Sequence, residues 1–252
     1  MRKQILLKTI IAATVIACLA LPAYAVMLVS RSQEVAIGKQ VEESMIKEYG
    51  GLSKDQALNE RIARVGKQVS SFSPRNDVTY TFKVVNSDEV NAFAAPGGPI
   101  VITKRLAGML KTDGELAFVL AHETGHIAAQ HGRKAINQAL IAQNVAALLL
   151  RNSGDAARIG ANVMYTLYTR GYSRDNEYEA DNYGYQLMTK AGYNAEDGIK
   201  ALAKLGMKRA TGVNKYLSTH PDIPDRIDRI AKMGNISEDR KKTLIEQAQA
   251  EK

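Results

Sequence analysis

Residues 122–126 read His122-Glu123-Thr124-Gly125-His126, an HExxH pattern in a chain with four histidines. Residues four apart stand on the same face of an α-helix, so His122 and His126 can direct imidazole nitrogens at one cation. Glu123 lies about 100° further round the helix, where a carboxylate can take a proton from a metal-activated water. The pattern favours a zinc hydrolase with Glu123 as general base. The alternative is a helix with two ordinary surface histidines.

The residues before this pattern predict that it lies on a buried helix. Thr112 and Glu115 have the spacing of a capping box, and no proline interrupts the chain from there to Arg133. Apolar side chains dominate residues 114–121, so we expect the helix to be buried on most sides. Buried imidazoles need polar partners, and a zinc ion is such a partner.

A third protein ligand is expected, because catalytic zinc sites usually have three and leave the fourth position to water. Glu177 and Asp181 are four residues apart at the start of a helical segment and share one face. One carboxylate could bind the metal while the other accepts the free N–H of a ligand histidine. Glu179 is about 200° away from Glu177 and is the alternative ligand. A solvated acidic helix start would explain the same residues without a metal.

His131 is not favoured as a ligand. The metzincin pattern requires glycine at position 129 and histidine at position 132, where this chain has Ala129 and Gly132. On a continuous helix, His131 would also be turned roughly 140° away from His126. We interpret it as a structural residue or as a support for a ligand.

Together with Glu177-Tyr-Glu-Ala-Asp181 and Ser218-Thr219-His220-Pro221, the HETGH pattern resembles the gluzincin metallopeptidases related to the heat-shock protease HtpX and the CAAX prenyl protease. The closest resemblance is to the small bacterial, envelope-located branch, over residues 32 to 232. The resemblance implies one Zn²⁺ per chain. Its ligands would be His122, His126 and Glu177, with Glu123 as general base and Asp181 as the supporting aspartate.

Two further segments take roles from this resemblance. Asn91, Ala92, Phe93 and Ala94 resemble the strand that borders the active-site cleft and would hold substrate. His220 resembles a histidine that can lie near the metal. It could donate a hydrogen bond to the oxyanion, or fill the water position in a latent state. It could also do no more than order a proline-rich turn.

The function implied by the resemblance is zinc-dependent endopeptidase action on cell-envelope proteins, in the quality control of misfolded chains. A peptide-binding, chaperone-like protein with a structural zinc is the alternative. Glu123 argues against that alternative, because a structural zinc site needs no base. No stretch after Val29 reaches about 18 apolar residues, which argues against an intramembrane prenyl-protein protease.

The N-terminus predicts export. Arg2 and Lys3 precede residues 9–29, which carry no charge, and Ala23-Tyr24-Ala25 is a small-x-small cleavage site. Residues 1–25 would then be a cleaved signal peptide, and the protein would act on the periplasmic side of the envelope. The same segment could instead remain as a membrane anchor, or be lipidated at Cys18. Cys18 is the only cysteine, which excludes an intramolecular disulfide and leaves only N and O ligands in the processed chain.

Charge excludes one class of partner. The formal charge of +8 falls to +5 without residues 1–25, because Arg2, Lys3 and Lys8 are removed and 31 basic residues face 26 acidic ones. This excess is too small and too dispersed to indicate nucleic-acid binding. Proteins or peptides are the expected partners, and residues 9–29 could also contact a membrane.

Residues 26–252 are predicted to form one α+β domain, mainly helical, with a small sheet beside the cleft. Apolar spacing marks helices around residues 37–49 and 58–69. Strands are predicted at 78–85, around Phe93 and at 100–102, the last two joined by Pro96-Gly97-Gly98-Pro99. Residues 137–169 favour a helical hairpin on the HExxH helix, or a mobile lid. The tail after Ser237 is expected to be a charged, exposed helix.

Overall fold

The computed structural model describes residues 28–142, 153–206 and 216–251. Within these ranges the protein is mainly helical with one three-stranded sheet, which confirms the predicted α+β class. The elements in chain order are α1 (Arg31–Glu48), α2 (Gln56–Ser70), β1 (Thr81–Val85), β2 (Ala92–Ala94), β3 (Pro99–Thr103), α3 (Lys104–Met109), α4 (Asp113–Ala128), α5 (His131–Ala142), α6 (Ser153–Arg170), α7 (Arg174–Lys190), α8 (Ala195–Gly206), α9 (Tyr216–Thr219), α10 (Ile223–Met233) and α11 (Glu238–Ala250). None of the helices in these ranges is both long and apolar enough to cross a membrane.

The sheet has the strand order β1-β3-β2. β1 runs parallel to β3, and β2 runs antiparallel to it, so β2 is an edge strand. β1 begins at Thr81, three residues later than predicted. Thr81 pairs with Pro99, the first residue of β3, and the preceding Gly97 and Gly98 have positive φ. β3 begins at Pro99, directly after the turn at Gly97 and Gly98, so residues 78–80 extend past its first residue and do not pair with it.

Both faces of the sheet are covered. Alternate strand residues such as Val84, Ile100 and Ile102 pack into a core shared with α2, α4, α7 and α8. Phe93 and Val101 point to the other face, where they pack with side chains from α1, α5 and α6. The sheet is thus held between two helical layers, and β2 lies beside α4.

α4 carries the HExxH residues and begins as the sequence predicts. Thr112 accepts from the backbone N–H of Glu115, and the Glu115 side chain accepts from the backbone of Thr112, which completes the capping box. Every residue from Gly114 to Ala128 is buried. A buried polar pair supports this end, since Lys204 of α8 donates to Glu115 at 2.6 Å. The HExxH helix therefore lies inside the protein.

Two glycines allow α4 and α7 to pack unusually closely. A Cβ atom added to Gly125 would lie 2.7 Å from the carbonyl oxygen of Ala180 and 2.9 Å from Cβ of Tyr183. A Cβ atom added to Gly184 would lie 3.2 Å from the backbone nitrogen of His122. This close approach sets the distance between the histidines of α4 and the carboxylates of α7.

The expectation that His131 is turned away from His126 is wrong. It assumed a continuous helix, but α4 ends at Ala128 and Gln130 has a left-handed backbone with φ of 58°. α5 then begins at His131 in a new direction. The break returns the His131 imidazole to His126.

The remaining predictions concern the flanks of the site. α5 and α6 are the two helices of the predicted hairpin, and residues 143–152 between them lie outside the described ranges. α6 packs mainly on α5 and α1, not on α4 as predicted. The tail forms α11 after Ser237 but is not fully exposed, because Leu244 and Ala248 are buried against α8. Residues 1–27, with the predicted signal peptide or anchor and Cys18, also lie outside the described ranges.

Candidate metal centre

Three side chains from α4 and α7 converge on one point. Nε2 of His122 and Nε2 of His126 are 3.1 Å apart. The carboxylate of Glu177 lies 3.5 Å from the first of these nitrogens and 3.4 Å from the second. His220 joins them, and one potential ligand atom from each of the four residues lies within 4.8 Å of the others. Glu179, the alternative third ligand, lies instead against His131.

This group fits a tetrahedral metal ion. Metal–ligand bonds of about 2.0 to 2.2 Å place tetrahedral ligand atoms roughly 3.3 to 3.6 Å apart, close to the separations observed. His122, His126 and Glu177 are each at most 1% exposed. Both carboxylate oxygens of Glu177 are buried without a hydrogen-bond partner among the described residues. The Arg226 guanidinium lies 3.3 Å from one of these oxygens, but neither oxygen accepts a well-formed hydrogen bond, so a metal ion at this point would supply the missing partner.

His122 is oriented by a buried ion pair. Its Nδ1 lies 2.9 Å from Oδ1 of Asp181. Arg226 donates one hydrogen bond of 2.7 Å to each oxygen of the Asp181 carboxylate. Arg226 is fully buried and also lies 3.3 Å from Glu177. It therefore contacts Glu177 and Asp181, the two buried carboxylates of α7, and holds them beside the HExxH helix.

Arg226 was missed from the sequence although a signal was present. α10 is strongly amphipathic, and Ile223, Ile227 and Ile230 form its buried face. Arg226 occupies the same face at helical spacing. A charged residue on an apolar stripe needs a buried partner, which the sequence does not name.

His126 is supported in a different way. Its Nδ1 lies 2.9 Å from Nδ1 of His131, and Nε2 of His131 lies 3.1 Å from a carboxylate oxygen of Glu179. His131 is buried, whereas the Glu179 side chain is 46% exposed. Burial lowers the pKa of the His131 imidazole despite the nearby carboxylate.

His220 lies across the site from Glu177. Its ring centroid is 5.3 Å from that of His122 and 5.9 Å from that of His126. It stacks on Tyr216 at 4.1 Å, and its backbone N–H donates to the Tyr216 carbonyl. The Tyr216 N–H donates to the carbonyl of Val90, just before β2. The turn that carries His220 is therefore fixed to the sheet.

The carboxylates of the site are held in the ionised form. Burial alone would raise the pKa of Glu123, but the adjacent His220, His126 and His122 outweigh burial and lower it. The pKa of Glu177 is lowered well below its usual value, because His220, His122, His126 and Arg226 also outweigh burial there. Glu123 is 1% exposed and can act as a proton acceptor.

A tyrosine that the sequence did not single out covers His126. Tyr172 stacks on that imidazole with ring centroids 4.2 Å apart. Burial, together with the charges of Glu123 and Glu177, raises the pKa of the phenol. Tyr172 follows Gly171, whose φ of 79° turns the chain into α7. The phenol is a neutral group beside the site.

The predicted substrate strand borders this group. Ala94 lines a small cavity together with Ala95, Pro96, His126 and Tyr172. Asn91 lies just before β2, and its side chain accepts from the N–H of Ala92 and donates to the Tyr49 hydroxyl. Phe93 points into the core on the far face of the sheet.

Comparison with known proteins identifies the family. Residues 56–234, more than half of the chain, match the model of peptidase family M48. The mitochondrial metalloendopeptidase OMA1 of Arabidopsis thaliana is 31% identical over 73% of this chain and 38% of its own length. The β-barrel assembly-enhancing protease of Escherichia coli is 26% identical over 87% of this chain and 50% of its own length. The metalloprotease YcaL of the same organism is 25% identical over 83% of both chains.

The chain thus spans 38% of the length of the first of these relatives and 50% of the second, but 83% of the third. The match nevertheless covers α2 to α10, with the HExxH residues, Glu177 and His220 inside it. The chain belongs to peptidase family M48.

Proposed function

We propose that the protein is a zinc-dependent metalloendopeptidase, with His122, His126 and Glu177 as zinc ligands. The observation that carries the proposal is the convergence of these three buried side chains at separations of 3.1 to 3.5 Å beside Glu123. Ligands of nitrogen and oxygen type with a carboxylate next to them are typical of catalytic zinc. When bound, zinc would polarise the scissile carbonyl and lower the pKa of a coordinated water.

Glu123 supplies the proton transfer in this mechanism. His126 and His122 lower its pKa in addition to His220 and stay beside it when His220 withdraws, so Glu123 remains ionised and can accept a proton from the attacking water. The same carboxyl group then passes the proton to the leaving amine. Burial around it excludes bulk water that would otherwise compete for the proton.

His220 gives the site a latent state. What supports this is that one ring nitrogen of His220 lies within 4.8 Å of the ligand atoms that the other three residues offer, so a small movement of the ring would bring it to the fourth position. A site closed by four protein ligands leaves no position for water. We infer that His220 must withdraw before catalysis, and that Tyr216 and the segment anchored at Val90 move with it.

Substrate would bind along β2. In the antiparallel pair, Ala95 donates to Pro99 and Thr103 donates to Asn91, so alternate residues pair with β3. The backbone groups of Ala94 and the carbonyl of Ala92 therefore point to the outer edge, whereas the Ala92 N–H already donates to the Asn91 side chain. An extended peptide can add to such an edge by β-augmentation, and Ala94 of this strand lines the same small cavity as His126.

The biological setting is the bacterial cell envelope, with quality control of misfolded proteins as the role. The uncharged segment at residues 9–29 supports export. The names of two relatives, a β-barrel assembly-enhancing protease and a metalloendopeptidase, support proteins as substrates. Cleavage of residues 1–25, retention as an anchor or lipidation at Cys18 would each place the domain on the periplasmic side.

Zinc content and casein cleavage test this function, compared among wild type, chelated and reloaded protein, and Glu123→Gln. We expect about one zinc per chain, loss of cleavage on chelation, and recovery on reloading. A closed site with four protein ligands is also the form of a structural zinc. If zinc is bound but wild type, His220→Ala and Glu123→Gln are all inactive on casein, the chaperone-like alternative is favoured. If no zinc binds, both readings are wrong.

A further inference from the structure

We propose that His131 and Glu179 position the zinc ligand His126 through a relay of hydrogen bonds that ends at the protein surface. The inference rests on the proposed function, because it takes His126 as a ligand through Nε2. It gives both residues a role in metal binding without making either a ligand. It also gives a role to the break at Gln130, which follows the HExxH helix.

The direction of each hydrogen bond follows from ligand chemistry. An imidazole that binds a metal through Nε2 carries its proton on Nδ1. His126 must therefore donate from Nδ1 across the 2.9 Å contact to Nδ1 of His131. His131 then carries its own proton on Nε2 and donates it to Glu179 at 3.1 Å. Only this tautomer of His131 satisfies both contacts.

Two ligands on the same helix are thus supported in different ways. Asp181 accepts directly from His122, and Arg226 holds it, with all three side chains fully buried. For His126, a second imidazole stands between the ligand and the carboxylate. The acceptor at the end of this second chain is 46% exposed, so solvent can partly replace it. We expect His131 to matter more than Glu179.

The backbone shows that this contact is built into the fold. On a continuous helix the two rings would be roughly 140° apart. The left-handed Gln130 restarts the chain as α5, which brings the His131 ring centroid to 5.0 Å from that of His126. A non-glycine residue in this conformation carries a conformational cost. The contact between the His131 and His126 rings offsets part of that cost.

The relay is tested by isosteric substitutions at position 131. His131→Phe keeps a ring of similar size and removes both nitrogens. His131→Asn keeps an acceptor at the position of Nδ1, because the Asn amide oxygen can occupy that point. Glu179→Ala removes the surface acceptor, and Asp175→Ala removes another exposed carboxylate from the first turn of α7 as a matched control.

Two readouts report on the metal rather than on turnover: zinc affinity by chelator competition, and the visible spectrum of the Co²⁺-substituted protein. We expect His131→Phe to weaken zinc binding roughly 10- to 100-fold and to change the Co²⁺ spectrum, the usual result of losing such a supporting partner. His131→Asn should recover part of the affinity. Glu179→Ala should weaken binding a few-fold, and Asp175→Ala should have no effect.

Glu177→Ala separates this inference from the proposed function. If Glu177→Ala loses zinc while His131→Phe, folded by circular dichroism, keeps wild-type affinity and spectrum, the relay is refuted and the zinc site stands. If neither wild type nor any variant binds zinc, the proposed function itself has failed. Equal losses in His131→Asn and His131→Phe would also refute the relay, since an acceptor at Nδ1 would then be irrelevant.

Discussion

Nε2 of His220 lies 3.3 Å from Oε1 of Glu123. The proposed base therefore faces a histidine instead of open solvent. Both side chains are almost fully buried, and the second belongs to a turn fixed to the sheet through Tyr216. The contact connects the chemistry at the HExxH helix with the position of a distant segment of the chain. Its consequences can be measured.

The first prediction concerns His220→Ala. If His220 closes the site, its removal should raise basal casein cleavage, and self-cleavage with it, because water regains the fourth position. If His220 instead stabilises the oxyanion, cleavage should fall by roughly 10² to 10³. We expect the increase, because His220 lies among the ligand atoms in this structure. Unchanged kcat and KM would contradict both roles.

The second prediction concerns Glu123→Gln. The amide cannot accept the proton, so kcat should fall by about 10² to 10⁴ or more while zinc content stays at the wild-type level. Thr124→Ala is the control, because among the described residues that hydroxyl donates to the carbonyl of Leu120 in its own helix. It should keep activity within a few-fold. Substantial turnover by Glu123→Gln would show that another group is the base.

The third prediction concerns Arg226. Arg226→Ala leaves Asp181 buried without its cation, which should lower the free energy of unfolding by about 3 to 5 kcal/mol. Arg226→Lys keeps the charge but loses the two-pronged geometry, so its loss should be smaller. Urea unfolding of the metal-free protein measures both.

The matched control for Arg226 is Arg240→Ala. Arg240 also makes a two-pronged contact, with Glu196, but its side chain is 46% exposed. Exposed ion pairs contribute about 0 to 1 kcal/mol, so this variant should unfold almost like wild type. Similar losses in Arg226→Ala and Arg240→Ala would contradict a special role for the buried pair.

The fourth prediction compares two helical glycines. Gly125→Ala places a methyl group 2.7 Å from the Ala180 carbonyl, so α7 must move away from α4. We expect a loss of about 1 to 3 kcal/mol in stability and weaker zinc binding, because Glu177 moves with α7. Gly108 has no heavy atom within 4 Å of such a methyl group. Gly108→Ala should therefore stabilise the protein by about 0.5 to 1 kcal/mol. Equal effects on zinc affinity would show that the close approach of the helices does not set the site.

The features that could be predicted from the sequence are those fixed by residues close together in the chain. The capping box at Thr112 and Glu115 acts within one helical turn, so four residues suffice to predict the start of the HExxH helix. The spacing of His122 and His126 places them on one helix face in any fold that contains the helix. Mainly helical character and the hairpin through Pro96-Gly97-Gly98-Pro99 follow from similarly short-range patterns.

Tertiary structure alone decided the contacts that cross between elements. The sequence could not indicate that Gln130 breaks the helix and returns His131 to His126, since a left-handed residue is stabilised by its surroundings. Nor could it pair Arg226 with Asp181, which lies 45 positions earlier in the chain. A helix face specifies which residues can meet a partner, but the partner is set by packing. The candidate metal centre therefore owes its two histidines to local spacing. Its third residue, Glu177, the supporting side chains and the position of His220 depend on how α4, α7 and α10 pack together.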